Sequence, residues 1–205
     1  MSPSCCTPSW RSCAGRGFDA ARRALECAQA LEAGGASELA VHARTKVQGY
    51  RPPAYWESIA VVRERVRLPV IANGDIWTVE DALRCRAVTG CSALMLGRGL
   101  VRRPALAQAI RQRDAGGDAA LPDTDPSVAA LPWPQVMPLL AEFWQDVCGR
   151  VERRHRAGRL KQWLNYLRHA YFEAQQAFDA LRLINEPEAI SAWLLQNNER
   201  LALAE

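Results

Sequence analysis

Apolar residues in this chain recur with two periods. From Phe18 they fall at helical spacing, with Ala21, Ala24, Leu25, Ala28 and Leu31 on one face and Gly34-Gly35 closing the run. Three short apolar runs follow at Leu39–Ala43, from Pro69 to Ala72 and at Ala93–Leu96. Each ends in polar or glycine residues, and a helical stretch comes after each. The first such helix starts near Ala54 and carries Trp56, Ile59, Ala60 and Val62. The second has Thr78 as N-cap with Asp81 three residues on and runs to about Val88, and the third covers Pro104 to Arg111. Beyond it the strand signal stops. Helices are expected at about 134–149, 157–170, 171–184 and 187–203.

Strand, polar turn, helix, three times over, is the pattern of parallel β-strands whose C-terminal ends carry chemistry. The expected class is α/β: a partial (β/α)₈ TIM barrel, about three C-terminal βα units, followed by an all-α helical bundle. A closed barrel has eight units, so the chain reads as the back part of an enzyme. Four segments are expected: a non-matching, unstructured leader at 1–17, barrel at 18–112, a linker at 113–131 rich in Asp, Gly and Pro, and a helical domain at 132–205.

Composition adds a charge distribution. Net charge is only +4, but eight Arg or Lys lie between Arg150 and Arg182 against Glu152, Glu173 and Asp179. Such a face suits a polyanion, although an ordinary solvated surface has the same composition. The seven cysteines form no C-x-x-C pair and no Cys/His ligand spacing. No metal is expected, and an odd count without an evident signal peptide or membrane-length apolar run points to free thiols in a reducing cytoplasm. Cys27, Cys85 and Cys91 are expected as small buried residues.

The strand ends hold the candidate chemistry. Asn73-Gly74-Asp75 follows one strand and Gly97-Arg98-Gly99 the next, where barrels keep phosphate sites. Glycine permits close backbone approach, and arginine offers a bidentate fork. Asn-Gly-Asp is also plain turn chemistry, so the two loops carry weight only together. His42 points to the same rim, either as a donor to a ligand ring or carbonyl or as a structural hydrogen-bonder. No Ser/His/Asp, Cys/His or paired-carboxylate arrangement can be assembled.

Four stretches in fixed order carry a resemblance. They are His-Ala-Arg-Thr-Lys-x-x-Gly-Tyr from His42, Pro-Val-Ile-Ala-Asn-Gly-Asp-Ile from Pro69, Gly-Cys-x-x-x-Met-Leu-Gly-Arg-Gly from Gly90, and Arg-x-Lys-Gln-Trp-Leu-x-Tyr-Leu-Arg from Arg159. Together they resemble the tRNA-dihydrouridine synthases, and the last resembles the bacterial branch that modifies uridine 16 of the D-loop. The resemblance implies an oxidoreductase in which NADPH reduces FMN, the flavin passes hydride to a flipped-out uridine and a cysteine donates the proton. It implies tRNA as partner, no membrane and a monomer.

Carried over by residue, the resemblance places FMN on His42, Asn73, Gly74, Asp75, Gly97 and Arg98, and tRNA on Tyr50, Arg159, Lys161, Tyr166 and Arg182. The family's proton donor sits in an Asn-x-Gly-Cys-Pro loop that Ser4-Cys5-Cys6-Thr7-Pro8 does not match, so no catalytic cysteine is carried over. The expectation is therefore an inactive C-terminal fragment. The rivals are a redox-inactive tRNA-binding module and an unrelated phosphate-binding barrel with a helical tail.

Overall fold

The computed structural model describes residues 17–45, 48–49, 52–116 and 131–202. Packing divides the chain into two compact units, the first ending at Gly97 and the second beginning at Arg98.

The first unit alternates helix and strand: α1 (Gly17–Ala33), β1 (Leu39–His42), α2 (Glu57–Arg63), β2 (Val70–Asn73), α3 (Val79–Thr89) and β3 (Leu94–Met95). The strands form one parallel sheet in the order β1-β2-β3, with His42 beside Asn73 and Asn73 beside Met95. Period-two geometry sends alternate side chains to opposite faces. Leu39, Val41, Val70 and Ala72 are buried, and the first two share a space with Ala28 and Leu31 of α1 and Val62 of α2. Full burial of Ile59 and Val62 on α2 stabilises this layer by about 1.5–3 kcal/mol each. The opposite face carries Ala40, His42, Ile71, Asn73 and Met95, all half-buried or exposed.

Local signals set the ends of α3. Thr78 Oγ1 accepts the Asp81 amide at 3.0 Å, and Asp81 Oδ2 accepts the Trp77 amide at 3.0 Å. This reciprocal cap is worth about 1 kcal/mol. Gly90, at φ 67°, closes the helix in the left-handed conformation. The third strand is shorter than the apolar run Ala93–Leu96, because only Leu94 and Met95 pair with β2.

The second unit is helical among the described residues: α4 (Arg98–Arg102), α5 (Leu106–Asp114), α6 (Trp133–Arg150), α7 (Arg153–Leu167), α8 (Phe172–Leu181) and α9 (Pro187–Ala202). Its core joins Val136, Met137, Leu140 and Trp144 of α6 to Leu160, Leu164 and Leu167 of α7, with Ala174, Leu181, Ile190 and Leu194 closing it. The Trp144 indole donates to Ser191 Oγ at 2.8 Å, tying α6 to α9. Helix α7 starts at Arg153 rather than 157. Its first turn is basic, with no apolar residue before Ala157 to betray it, and the His155 amide bonds the Glu152 carbonyl at 2.9 Å.

Helix α4 was not expected, and it changes where the chain divides. The Trp163 indole donates to the Val101 carbonyl at 2.9 Å, and Arg102 Nη2 donates to the His169 carbonyl at 2.6 Å. These bonds place α4 against α7, so packing separates the units after Gly97 rather than across 113–131. Residues 1–16 of the expected leader and 117–130 of the expected linker lie outside the described residues.

Candidate functional site

The ends of β1 and β2 are knitted together before any ligand enters. The Ala43 amide donates to the Asn73 carbonyl at 2.8 Å, and the Tyr55 amide to the Ala43 carbonyl at 2.9 Å. His42 Nδ1 lies 2.8 Å from Asn73 Oδ1, with the ring exposed. Two residues further on, the guanidinium of Arg44 meets both carboxylate oxygens of Asp75, with Nη1 donating to Oδ1 at 3.0 Å. The Arg44 side chain is 1% exposed and that of Asp75 14%. Both pairs span 31 residues, so the second continues the strand register into the loops.

Gly74 sits between these pairs at φ 147°, where side chains are rarely tolerated. A Cβ there would lie 2.8 Å from Ala43 Cβ and 3.3 Å from Ala54 Cβ. The Trp56 indole donates to the Gly74 carbonyl at 2.7 Å and fixes the turn from below. Gly97 differs, because a Cβ on it would meet nothing within 4 Å. Gly97 is exposed, and its lack of a side chain relieves no clash.

His42, Asn73, Gly74 and Asp75 are thus gathered at one rim, with Gly97 two residues past β3 in the same unit. Arg98 opens α4 in the second unit. Arg44 engages the Asp75 carboxylate, which leaves the turn its backbone and little net charge. Arg44 and Trp56 were missed as parts of the site. The signal for Arg44 was its position two residues after His42, matching Asp75 two residues after Asn73.

The basic stretch of the second unit is less free than its composition implied. Arg150 pairs with Asp146 at 3.4 Å, Arg154 with Glu152 at 2.9 Å, and Arg153 with Glu188 at 2.7 Å and Glu186 at 3.4 Å. Arg156 donates to the Val151 carbonyl at 2.8 Å, and Arg168 stacks over the Phe178 ring at 4.8 Å. Arg159 and Arg182 are exposed and have no side-chain partner among the described residues. Lys161 donates to Asn185 Oδ1 at 2.8 Å.

Helical geometry spreads the candidates of α7 rather than clustering them. Arg159 and Tyr166 share one flank, and Lys161 lies on the other. Between them Gly158 and Gln162 face solvent. Arg182 is at the end of α8, beside the loop that holds Lys161. Tyr50 lies outside the described residues.

The described thiols are free. Cys85 is buried, and that burial pushes its thiol up to about 11. Cys91 is buried as expected, but Cys27 is exposed, because it stands beside the face of α1 that packs through Ala28. Among the described residues no helix is long and apolar enough to cross a membrane, and no group of three His, Cys, Asp or Glu is placed to hold a metal.

A family model for dihydrouridine synthase (Dus) matches residues 14–192. The chain is 46% identical to a protein of Aquipseudomonas alcaligenes named tRNA-dihydrouridine(16) synthase, over 87% of this chain and 54% of that protein. Proteins of the same name from Pseudomonas putida and Pseudomonas syringae pv. tomato are 46% and 44% identical over 87% of this chain, covering 52% and 53% of their own lengths. The chain spans about half the length of the curated relatives it matches.

Proposed function

This chain belongs to the dihydrouridine synthase family, and from that premise we propose that its first unit holds FMN at the phosphate end and its second holds tRNA. The strand-bearing unit up to Gly97 is then the last part of an FMN-binding TIM barrel, and residues 132–205 carry the RNA-binding helices of a cytoplasmic, monomeric enzyme.

The residues fit the cofactor on chemical grounds. Gly97 has open space where a side chain would stand, as a bulky anion requires. Arg44 neutralises Asp75, so no bare carboxylate repels a phosphate at this turn. Asn73, Gly74 and Asp75 form the cradle in the first unit, and the resemblance adds Arg98 as a further phosphate ligand. His42, oriented by Asn73, keeps its second ring nitrogen for the polar edge of the flavin. When bound, FMN reduced by NADPH supplies the hydride that turns uridine into 5,6-dihydrouridine, at position 16 of the D-loop by similarity to the named relatives.

The proton has no assigned donor within these 205 residues. No Asn-x-Gly-Cys-Pro loop is present, and the buried Cys85, held protonated, is a poor exchanger. By themselves these residues bind RNA without turnover. The observation that carries the reading is the double link of His42 to Asn73 and of Arg44 to Asp75, which builds a ligand-ready rim at two strand ends. A second reading, a redox-inactive tRNA-binding module, draws on the separate core of the helical unit.

The test uses unmodified tRNA, FMN and NADPH with the 205-residue chain. The expected outcome is a colourless protein that binds tRNA in a salt-sensitive way and forms no dihydrouridine. Measurable turnover would overturn the assignment of no proton donor, and absence of any tRNA affinity would sink both readings. Tight, stoichiometric FMN on the purified chain would exclude the binding-module reading.

A further inference from the structure

Among the described cations from Arg150 to Arg182, Lys161 is held by a neutral side chain, and Arg156, on the Val151 carbonyl, is the other one held by a neutral oxygen. Arg150, Arg153 and Arg154 end on carboxylates, which cancel their charge. Lys161 ends on a neutral amide oxygen, Asn185 Oδ1, at 2.8 Å. An ammonium has three donors, so this bond fixes its place while leaving two N–H groups and the whole positive charge available. Burial also pulls the Lys161 ammonium slightly toward deprotonation, and no carboxylate counters that pull.

Asn185 lies in the short connection between α8 and α9, three residues after Arg182. The residues that follow act oppositely: Glu186 of the connection and Glu188 in the first turn of α9 clamp Arg153. The connection and the start of α9 therefore leave one cation of α7 neutralised and another held but uncancelled. We infer that Asn185 is a positioning residue that aims the Lys161 ammonium at an RNA phosphate. This deepens the tRNA reading above and rests on it. Lysine is a flexible point charge whose four-carbon stem loses much rotamer freedom on binding, and an anchor made before RNA arrives removes part of that cost.

The experiment is a double-mutant cycle on the full chain, read by fluorescence anisotropy with unmodified tRNA across a salt series. Asn185→Ala is expected to weaken binding about three- to tenfold, the range of one ordinary net hydrogen bond, with the salt slope unchanged because no charge is lost. Lys161→Ala should lower that slope by about one counterion. In the Lys161→Ala background, Asn185→Ala should add nothing. Asn185→Asp should mimic Lys161→Ala, since it supplies the cancelling carboxylate.

An equal effect of Asn185→Ala in both backgrounds would make Asn185 a direct RNA contact and overturn the inference, as would no effect in either. A second measurement stands apart from RNA. The chain has only two lysines, Lys46 and Lys161, so amine-labelling rates can be mapped with Lys46 as internal reference. Asn185→Ala should speed labelling of Lys161 alone; an unchanged rate would show that the bond does not restrain the side chain. If the unaltered chain fails to bind tRNA, the functional reading falls, and the labelling rate still decides the anchor.

Discussion

Arg44 and Asp75, 31 residues apart, are joined by two parallel hydrogen bonds at the ends of adjacent strands, with the guanidinium almost wholly enclosed. They are the charged counterpart of His42 and Asn73, which meet at the same separation one step earlier. The His42–Asn73 pair is exposed, and the buried pair keeps the two loops in register behind it.

Removing one member of that buried pair should be costly. Asp75→Ala takes away the carboxylate that offsets an enclosed guanidinium, and the first unit is expected to lose about 3–5 kcal/mol. The double variant Arg44→Met with Asp75→Leu should recover most of that loss. Hydrogen exchange at the amides of β1 and β2 under urea reports on this unit directly.

The two glycines of the rim should respond differently. Gly74→Ala places a Cβ 2.8 Å from Ala43 Cβ at a positive φ, and about 1–3 kcal/mol of stability should be lost. Gly97→Ala meets no neighbour, so its stability should stay within about 0.5 kcal/mol of the parent. Added FMN, followed by quenching of its fluorescence, should bind more weakly to Gly97→Ala if the open space is a phosphate cradle.

Acid should act on the helical unit through Glu188. The hydrogen bond from Arg153 pulls its carboxyl down from the ordinary 4.5 to about 2. A depressed folded value means that the stabilising contribution is complete above pH 4.5 and is lost as pH falls through about 2. The pair is exposed, so the effect is small. Glu188→Gln should flatten the urea midpoint between those limits, and a carboxyl titration by NMR should place the midpoint of Glu188 itself.

Salt dependence measures how many cations reach RNA. If all eight basic residues from Arg150 to Arg182 contacted phosphates, the slope of log K against log salt would be about −6 to −7. Arg150, Arg153 and Arg154 are paired with carboxylates. The other five, Arg156, Arg159, Lys161, Arg168 and Arg182, give a slope of about −3.5 to −4.5. A value near the larger figure would show that RNA strips the internal ion pairs.

Much of the fold was legible because it depends on neighbours a few residues apart. Thr78 with Asp81 marked the start of α3, and the apolar runs at 39–43 and 69–72 placed two strands to within a residue. Short-range hydrogen bonds and side-chain periodicity determine such features, and both are written along the chain. The family resemblance was legible too, since its four stretches keep their order and spacing.

The tertiary structure decided what those residues meet. The sequence placed Asp75 in a polar turn, and only the parallel register of β1 on β2 brings Arg44 to it. It offered eight cations as one basic face, and only the return of α9 past α7 delivers Glu186 and Glu188 to Arg153 and leaves Lys161 to Asn185. It offered a linker at 113–131 as the break, whereas Trp163 and Arg102 dock α4 on α7 and move the division to Gly97. Composition counts charges and apolar groups, but pairing depends on contacts between segments tens of residues apart, and their register is fixed only when the strands and helices pack.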